Sequence, residues 1–262
     1  MQKALIPIEL NLASNIALRY ACAKSKIMDL GLQPIQVQEP DKKAHSSESG
    51  WIRRTWEAGL QEAGREEVLR ILDGETLDCF IIPQPIVAVG DREEELLKEL
   101  ERNRYDLFVE GAVSNFDLGE FRRLLRSRLY RRMPCPALVV KNLIKSDRIL
   151  LVLGLDADPE RLAEQFGRFF PSPGAEFDLC VYDMDEAHGG GPDQLLAKTQ
   201  EQLQNRGRLP THSRVLAGAP EAAAAELRDY GLIVAAVDRK GGRKSPLTEV
   251  LGRVPCPLLL CW

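Results

Sequence analysis

Much of what would identify a chemistry at once is missing from this chain. No apolar run approaches the ~20 residues of a membrane-spanning helix, so no membrane role is expected. The three histidines, His45, His188 and His212, fall in segments that read as loops, without the spacing of metal ligands or of a catalytic triad. The six cysteines include no C-x-x-C pair, which removes zinc ribbons and dithiol redox motifs. Walker loops, nucleophile elbows, Ser-Gly-Gly-x-Asp-Ser loops and His-x-Gly-His motifs are also absent. The net charge of −4 gives no bias toward nucleic acid. The opening residues Met1-Gln2-Lys3-Ala4-Leu5-Ile6-Pro7 read as the start of a strand, not as a signal peptide. Most cysteines sit on apolar strands or helix faces, so buried reduced thiols in a cytoplasmic protein are expected, not disulfides.

What is present is a repeat. Arg132-Met133-Pro134-Cys135-Pro136 leads into Ala137-Leu138-Val139-Val140, and Arg253-Val254-Pro255-Cys256-Pro257 leads into Leu258-Leu259-Leu260-Cys261. Proline costs little at the first residue of a strand, and the apolar run after it suits a strand buried on both faces. Upstream, Tyr105-Asp106-Leu107-Phe108-Val109 and Tyr230-Gly231-Leu232-Ile233-Val234 match as a connection followed by a strand. An internal repeat of this length divides the chain into residues 1–144 and 145–262, each close to ordinary domain size.

The pattern along each half alternates strand and helix. In the first, strands are expected at 3–10, 34–38, within 80–89 where Pro83 and Pro85 limit the ladder, at 107–109 and after Pro136. Helices follow Asn11 or Ser14, run over 51–72, start after Gly90-Asp91, and include Phe121, Leu124, Leu125 and Leu129. Gly31 reads as a left-handed helix stop. In the second half strands are expected at 149–153, 177–182, 214–216, 232–236 and the end. Asp158-Pro159 and Ser245-Pro246 read as helix caps with proline in the first turn. Such alternation gives an α/β fold: two tandem Rossmann-like domains, each a five-stranded, mainly parallel sheet flanked by helices. Ligands in such folds bind beyond the carboxyl ends of the strands, where the strand order reverses.

Both halves resemble the universal stress protein domain. The residues that carry the likeness are Ala4-Leu5-Ile6-Pro7-Ile8-Glu9, Gln36-Val37-Gln38-Glu39-Pro40, Val89-Gly90-Asp91, Val109-Glu110-Gly111 and the two Pro-Cys-Pro strands. The resemblance implies a fold of the adenine nucleotide alpha hydrolase-like group and, in many members, bound ATP. It also implies a phosphate loop of the form Gly-x2-Gly-x9-Gly-(Ser/Thr), whose glycines let backbone N–H groups meet phosphates. Here Gly111 is kept, Ser114 stands at the second glycine, and the closing pair falls at Arg123-Leu124 or one residue later, neither of which recovers it. In the second half Gly154 stands at the opening acid, Ala236 at the first glycine, and Ser245 alone survives. The candidate nucleotide contacts are therefore Glu9, Val37, Gly111, Ser114 and Ser245, in an eroded cradle. No cofactor is expected to bind tightly, and residual ATP or AMP binding is expected in the first half.

Each candidate has a plainer reading. Ser245 before Pro246 is more simply a helix cap, and Gly111 serves equally well as a turn residue. Cys135 and Cys256 read as buried, inert thiols more readily than as redox sensors. Gly241-Gly242, among Arg239, Lys240, Arg243 and Lys244, reads as a solvated loop before a phosphate loop. Arg122, Arg123, Arg126, Arg128, Arg131 and Arg132 crowd one helix. That face either is solvated, balancing Glu93-Glu94-Glu95, or docks a protein partner through Arg122, Arg123 and Arg126. The reading that results is a non-catalytic, cytoplasmic tandem universal stress protein, a regulatory module in stress response, with homodimerisation open. The alternatives are an ATP or AMP sensor using a relaxed first-half site, and a nucleotide-dependent α/β enzyme such as an adenylate-forming transferase.

Overall fold

The computed structural model describes residues 1–39, 50–75, 77–112, 117–144, 146–172, 175–184, 190–238 and 245–262. The first half runs β1 (Gln2–Pro7), α1 (Leu12–Met28), β2 (Leu30–Gln38), α2 (Gly50–Asp73), β3 (Ile86–Val89), α3 (Arg92–Arg102), β4 (Leu107–Gly111), α4 (Leu118–Arg126), α5 (Arg128–Arg132) and β5 (Ala137–Val140). The second runs β6 (Ile149–Gly154), α6 (Pro159–Phe169), β7 (Phe177–Asp183), α7 (Gly191–Gln204), β8 (Ser213–Ala217), α8 (Pro220–Glu226), β9 (Leu232–Ala236), α9 (Pro246–Arg253) and β10 (Leu258–Cys261).

The two sets of strands form one ten-stranded sheet in the order β3-β2-β1-β4-β5-β10-β9-β6-β7-β8. Each half thus keeps its own five-strand order, and all neighbours within a half are parallel. The junction is antiparallel: Leu258 lies opposite Val139, Leu259 opposite Leu138, and Leu260 opposite Ala137. The two Pro-Cys-Pro strands therefore cover each other's edge, which would otherwise expose a row of unpaired backbone groups. Because β5 and β10 are buried on both faces, they read as unbroken apolar runs rather than alternating ones. The apolar layer on each sheet face is continuous across both halves. One face includes Ile6, Val109, Leu138, Leu151 and Leu259, the other Leu5, Phe108, Val139, Val152 and Leu260.

Further contacts cross the junction. The buried Tyr20 hydroxyl donates to the Gly231 carbonyl at 2.7 Å, and Lys24 pairs with Asp147 at 2.8 Å. Lys141, which follows β5, donates to the carbonyls of Leu251 and Val254 at 2.6 and 2.9 Å, capping the C-terminal end of α9. The repeat survives in detail. Lys3 Nζ lies 4.6 Å from the centre of the Tyr105 ring, and the Arg148 guanidinium 4.5 Å from that of Tyr230.

Several local expectations need correction. The left-handed residue ending α1 is Asp29 (φ 52°), not Gly31, so β2 begins at once and Gly31 lies within it. The third strand needs none: as expected within 80–89, Pro83 and Pro85 limit its ladder, here to Ile86–Val89 with an isolated bridge between Ile81 and Leu32 upstream. The arginine-rich helix is two helices. Ser127 is extended (φ −60°, ψ 156°), and its hydroxyl accepts from the Tyr130 N–H at 3.3 Å, restarting the chain as α5. The expectation of six reduced thiols is also overturned, because Cys22 and Cys79 form a disulfide with Cα atoms 5.2 Å apart. The physical reason is that Ile81 pairs with Leu32, which draws residues 77–82 back along the inner face of α1. Cys135, Cys180, Cys256 and Cys261 are buried thiols. Among the described residues no helix is long and apolar enough to cross a membrane, and no group of histidine, cysteine, aspartate and glutamate is placed to hold a metal ion.

Candidate functional site

The strand order reverses between β1 and β4, and again between β6 and β9, so the carboxyl ends of these strands define a candidate site in each half. In the first half the fold brings Glu9, just past β1, together with Val37 near the end of β2 and Gly111 at the end of β4. Ser245 lies in the other half, at the cap position of α9. Pro246 fills the first turn there, and the serine side chain makes no capping hydrogen bond. Ser114, His45, His188 and the stretch Arg239 to Lys244 lie outside the described residues.

A residue the sequence reading passed over dominates the first-half site. Arg92 opens α3 directly after the cap residue Asp91, whose carboxylate accepts from the Glu94 N–H at 3.0 Å. Its guanidinium bridges two strand ends, donating through Nε to Glu9 at 2.6 Å and through Nη2 to Glu110 at 2.9 Å. The other Glu110 oxygen accepts from the buried Tyr130 hydroxyl at 2.8 Å, and the other Glu9 oxygen from Asn11 at 2.7 Å. Burial opposes the charge on Arg92, but Glu110 and Glu9 outweigh it and hold its pKa above the ordinary value. Burial, and then the Glu110 charge, push the Tyr130 phenol well above its own. The network is closed, since each carboxylate accepts two hydrogen bonds, one on each oxygen, and both face one shared cation. The available signal was an arginine directly after the Gly90-Asp91 turn, at the carboxyl end of β3.

Gly111 has a packing reason for being glycine. A Cβ there would lie 2.0 Å from the Ala13 carbonyl oxygen, so the absent side chain lets the start of α1 sit on the end of β4. Beyond it is a cleft of about 240 Å³, lined by Arg92, Glu110, Arg123, Leu124, Ser127 and Tyr130 among others. The matching end of the second half is more open. A cleft of about 610 Å³ lies beyond β6, β9 and β10, lined by residues that include Asp156, Asp158, Arg161, Val237, Asp238 and Trp262. Arg161 is engaged there by the Trp262 carbonyl, and Asp158 caps α6 by accepting from the Glu160 and Arg161 N–H groups. The roomier cleft is thus in the half opposite to the one expected to retain a nucleotide.

The arginine face is divided. Phe121, Leu129 and Tyr130 are buried, with Leu124 and Leu125 half-buried. Arg122 does not point to solvent as expected; it is ion-paired with Glu249 of α9, because α4 packs against α9 across the junction. Arg123 pairs with Glu120 at 2.7 Å and Arg132 with Glu101 at 2.9 Å. Arg126, Arg128 and Arg131 are exposed and make no ion pair among the described residues.

No protein-family model matches the chain, and no curated protein matches it. Solved structures do. A universal stress protein from Archaeoglobus fulgidus DSM 4304 superposes with a TM-score of 0.67 at 17% identity, over 99% of this chain and 96% of that one. A protein assigned to the universal stress proteins from Pseudomonas aeruginosa UCBPP-PA14 superposes with a TM-score of 0.59 at 15% identity, over 99% and 92%. The architecture is therefore an α/β sheet with helices on both faces. More particularly, it is the fold of the universal stress proteins, along the whole chain.

Proposed function

We propose that the protein is a non-catalytic regulatory module of the universal stress protein type, acting through association with other proteins, with nucleotide binding lost from its first half. The observation that carries this reading is the Arg92 bridge. It joins the two strand ends where a nucleotide would sit, and it uses both carboxylates in doing so. A nucleotide would have to break two charge-assisted hydrogen bonds and would bring phosphates toward Glu9 and Glu110. The side chains of Ser14, Ser25, Thr199 and Cys256 all donate to backbone carbonyls and not to a base, which supports a binding role over a chemical one. The test is calorimetric titration with ATP and with AMP, together with an absorbance scan of the supernatant after denaturing the purified protein. The expected result is no adenine-like absorbance and no binding as tight as about 1 μM, or about −8 kcal/mol. Tight binding abolished by a change at Glu9 or Gly111 would overturn it.

A second reading has one specific observation in its favour. The 610 Å³ cleft of the second half is within the range of small-molecule sites. The stretch that follows its β9 carries Gly241-Gly242 among four basic residues. On that reading the protein is an ATP or AMP sensor through its second half. The same titration separates the two, because binding would then be lost on changing Trp262 or Arg161 and kept on changing Glu9.

A further inference from the structure

We infer that Arg126, Arg128 and Arg131 form a docking surface for a carboxylate-rich segment of a partner protein. The inference rests on clustering: Arg54, Arg102 and Arg104 are also exposed without an ion pair among the described residues, but on α4 and α5 three such arginines fall within six positions. In the second half Arg148, Arg168, Arg208, Arg214 and Arg253 each meet a carboxylate or a carbonyl. On α4 and α5 themselves, Arg122, Arg123 and Arg132 are held in the same way. Arg126, Arg128 and Arg131 lie within six positions of one another, are exposed, and have no such partner among the described residues. Three like charges this close repel one another, and a complementary surface removes that repulsion.

The geometry sets the arrangement. Ser127 breaks the helix between Arg126 and Arg128, and α5 starts afresh from it, placing Arg128 and Arg131 one turn apart on the new helix. The equivalent helix of the second half, α9, ends in Arg253 alone, which is bound to Glu221 and Glu249. The surface therefore belongs to the first half only.

The chemistry selects the partner. Every basic residue on α4 and α5 is arginine, whose planar fork matches a carboxylate bidentately, whereas lysine would serve equally well as a point charge. A nucleic acid fits less well. The aromatic residues of these helices, Phe121 and Tyr130, are buried and offer no stacking face, and the chain as a whole carries −4. The surface takes a run of aspartate or glutamate side chains.

This deepens the interaction role proposed above and rests on it. Its assay is independent of the nucleotide titration, so the failure of one is distinguishable from the failure of the other. The probe is a fluorescent octaglutamate peptide, followed by anisotropy with the full chain at about 50 mM and about 200 mM salt. Binding is expected at the lower salt, weakening several-fold at the higher. In the variant Arg126→Gln/Arg128→Gln/Arg131→Gln it is expected to fall about tenfold with an unchanged thermal midpoint. The triple lysine variant is expected to bind between the two. If the glutamine variant does not fold, Arg131→Gln alone carries the test, with an expected loss of about threefold. No peptide binding, equal binding by wild type and glutamine variant, or tighter binding of a single-stranded RNA of equal charge overturns the proposal.

Discussion

At the carboxyl ends of β1 and β4 the first half carries Glu9 and Glu110. At the equivalent positions of β6 and β9, aligned by the matched registers of β4 with β5 and of β9 with β10, the second half carries Gly154 and Ala235. The turn that follows the third strand differs in step. It is Gly90-Asp91-Arg92 in the first half and Gly218-Ala219-Pro220 in the second. Where there are two carboxylates there is an arginine to hold them, and where there are none proline keeps the first turn of the helix. The same fold has thus reached two ends of different character. One is bridged by charge between β1 and β4, with a cleft of about 240 Å³, and the other has no carboxylate at the matching positions of β6 and β9, with a cleft of about 610 Å³. The three positions differ between the halves as a set, as suits a partly buried ion network whose members stabilise only together.

The disulfide is the largest asymmetry to break. Cys22–Cys79 closes a separation of 57 residues in the first half, and the second half has no disulfide among its described residues. Loop-closure entropy for that length puts its contribution at about 4 kcal/mol. Adding a dithiol reductant should lower the urea midpoint of the wild type to that of Cys79→Ser and leave the variant unmoved. A wild type insensitive to reductant would remove the staple from the account.

Close backbone approaches come next, and here the halves agree in kind. A Cβ at Gly111 would meet the Ala13 carbonyl oxygen at 2.0 Å, and one at Gly231 would meet that of Ser146 at 1.8 Å. Neither backbone can give way cheaply, so Gly111→Ala and Gly231→Ala should each cost about 3 kcal/mol. Gly167→Ala, which has open space inside α6, should be neutral or stabilising by up to about 1 kcal/mol. Equal denaturation curves for all three would show that the packing at the strand ends is looser than described.

The Arg92 bridge is the sharpest comparison. Arg92→Ala leaves Glu9 and Glu110 facing each other without a cation, at a cost of about 2 kcal/mol, discounted from a fully buried pair because Glu9 and Arg92 remain about one-third exposed. Adding Glu9→Gly and Glu110→Ala, which copies the second half, should recover most of that loss. A triple variant no more stable than the single one would mean that the carboxylates have a partner other than Arg92.

How much of this the sequence disclosed depends on the range of the interaction. Strand runs and Asp158-Pro159 as a cap follow from local pattern, and they hold in the structure. The break at Ser127 was hidden because Phe121, Leu124, Leu125 and Leu129 keep one helical period through it. The disulfide and the Arg92 bridge were illegible for another reason. Each joins residues far apart in the chain, and neither a cysteine on a helix face nor an arginine in a first turn states what it will meet. Gly111 shows the reverse. The sequence marks it as a nucleotide-approach or turn glycine, and its visible use is a third one, contact with α1.

The smallest expected effect concerns the residues that end each half. By the offset between the Pro-Cys-Pro strands, Lys141 and Trp262 are equivalent, and each reaches across the junction. Trp262 lies edge-on to Tyr130 of α5 with ring centres 6.3 Å apart, while Lys141 caps α9 and sits 5.1 Å from the centre of the Phe121 ring. Of these two side chains only that of the lysine titrates. Burial pulls its pKa from 10.5 down to about 7, with the neighbouring Cys256 opposing the shift. Between those values the unfolded chain holds a proton that the folded chain has released, so stability should rise with pH through that window. Below it both states are protonated, and the burial penalty is present in full. The slope for one proton is at most about 1.4 kcal/mol per pH unit, reduced to the extent that the carbonyls of Leu251 and Val254 favour the ammonium. Urea denaturation of wild type and Lys141→Met across this range should give a rising stability for the first and a flatter profile for the second. Parallel profiles would place the ammonium in its ordinary state and make the junction as insensitive to pH on the lysine side as on the tryptophan side.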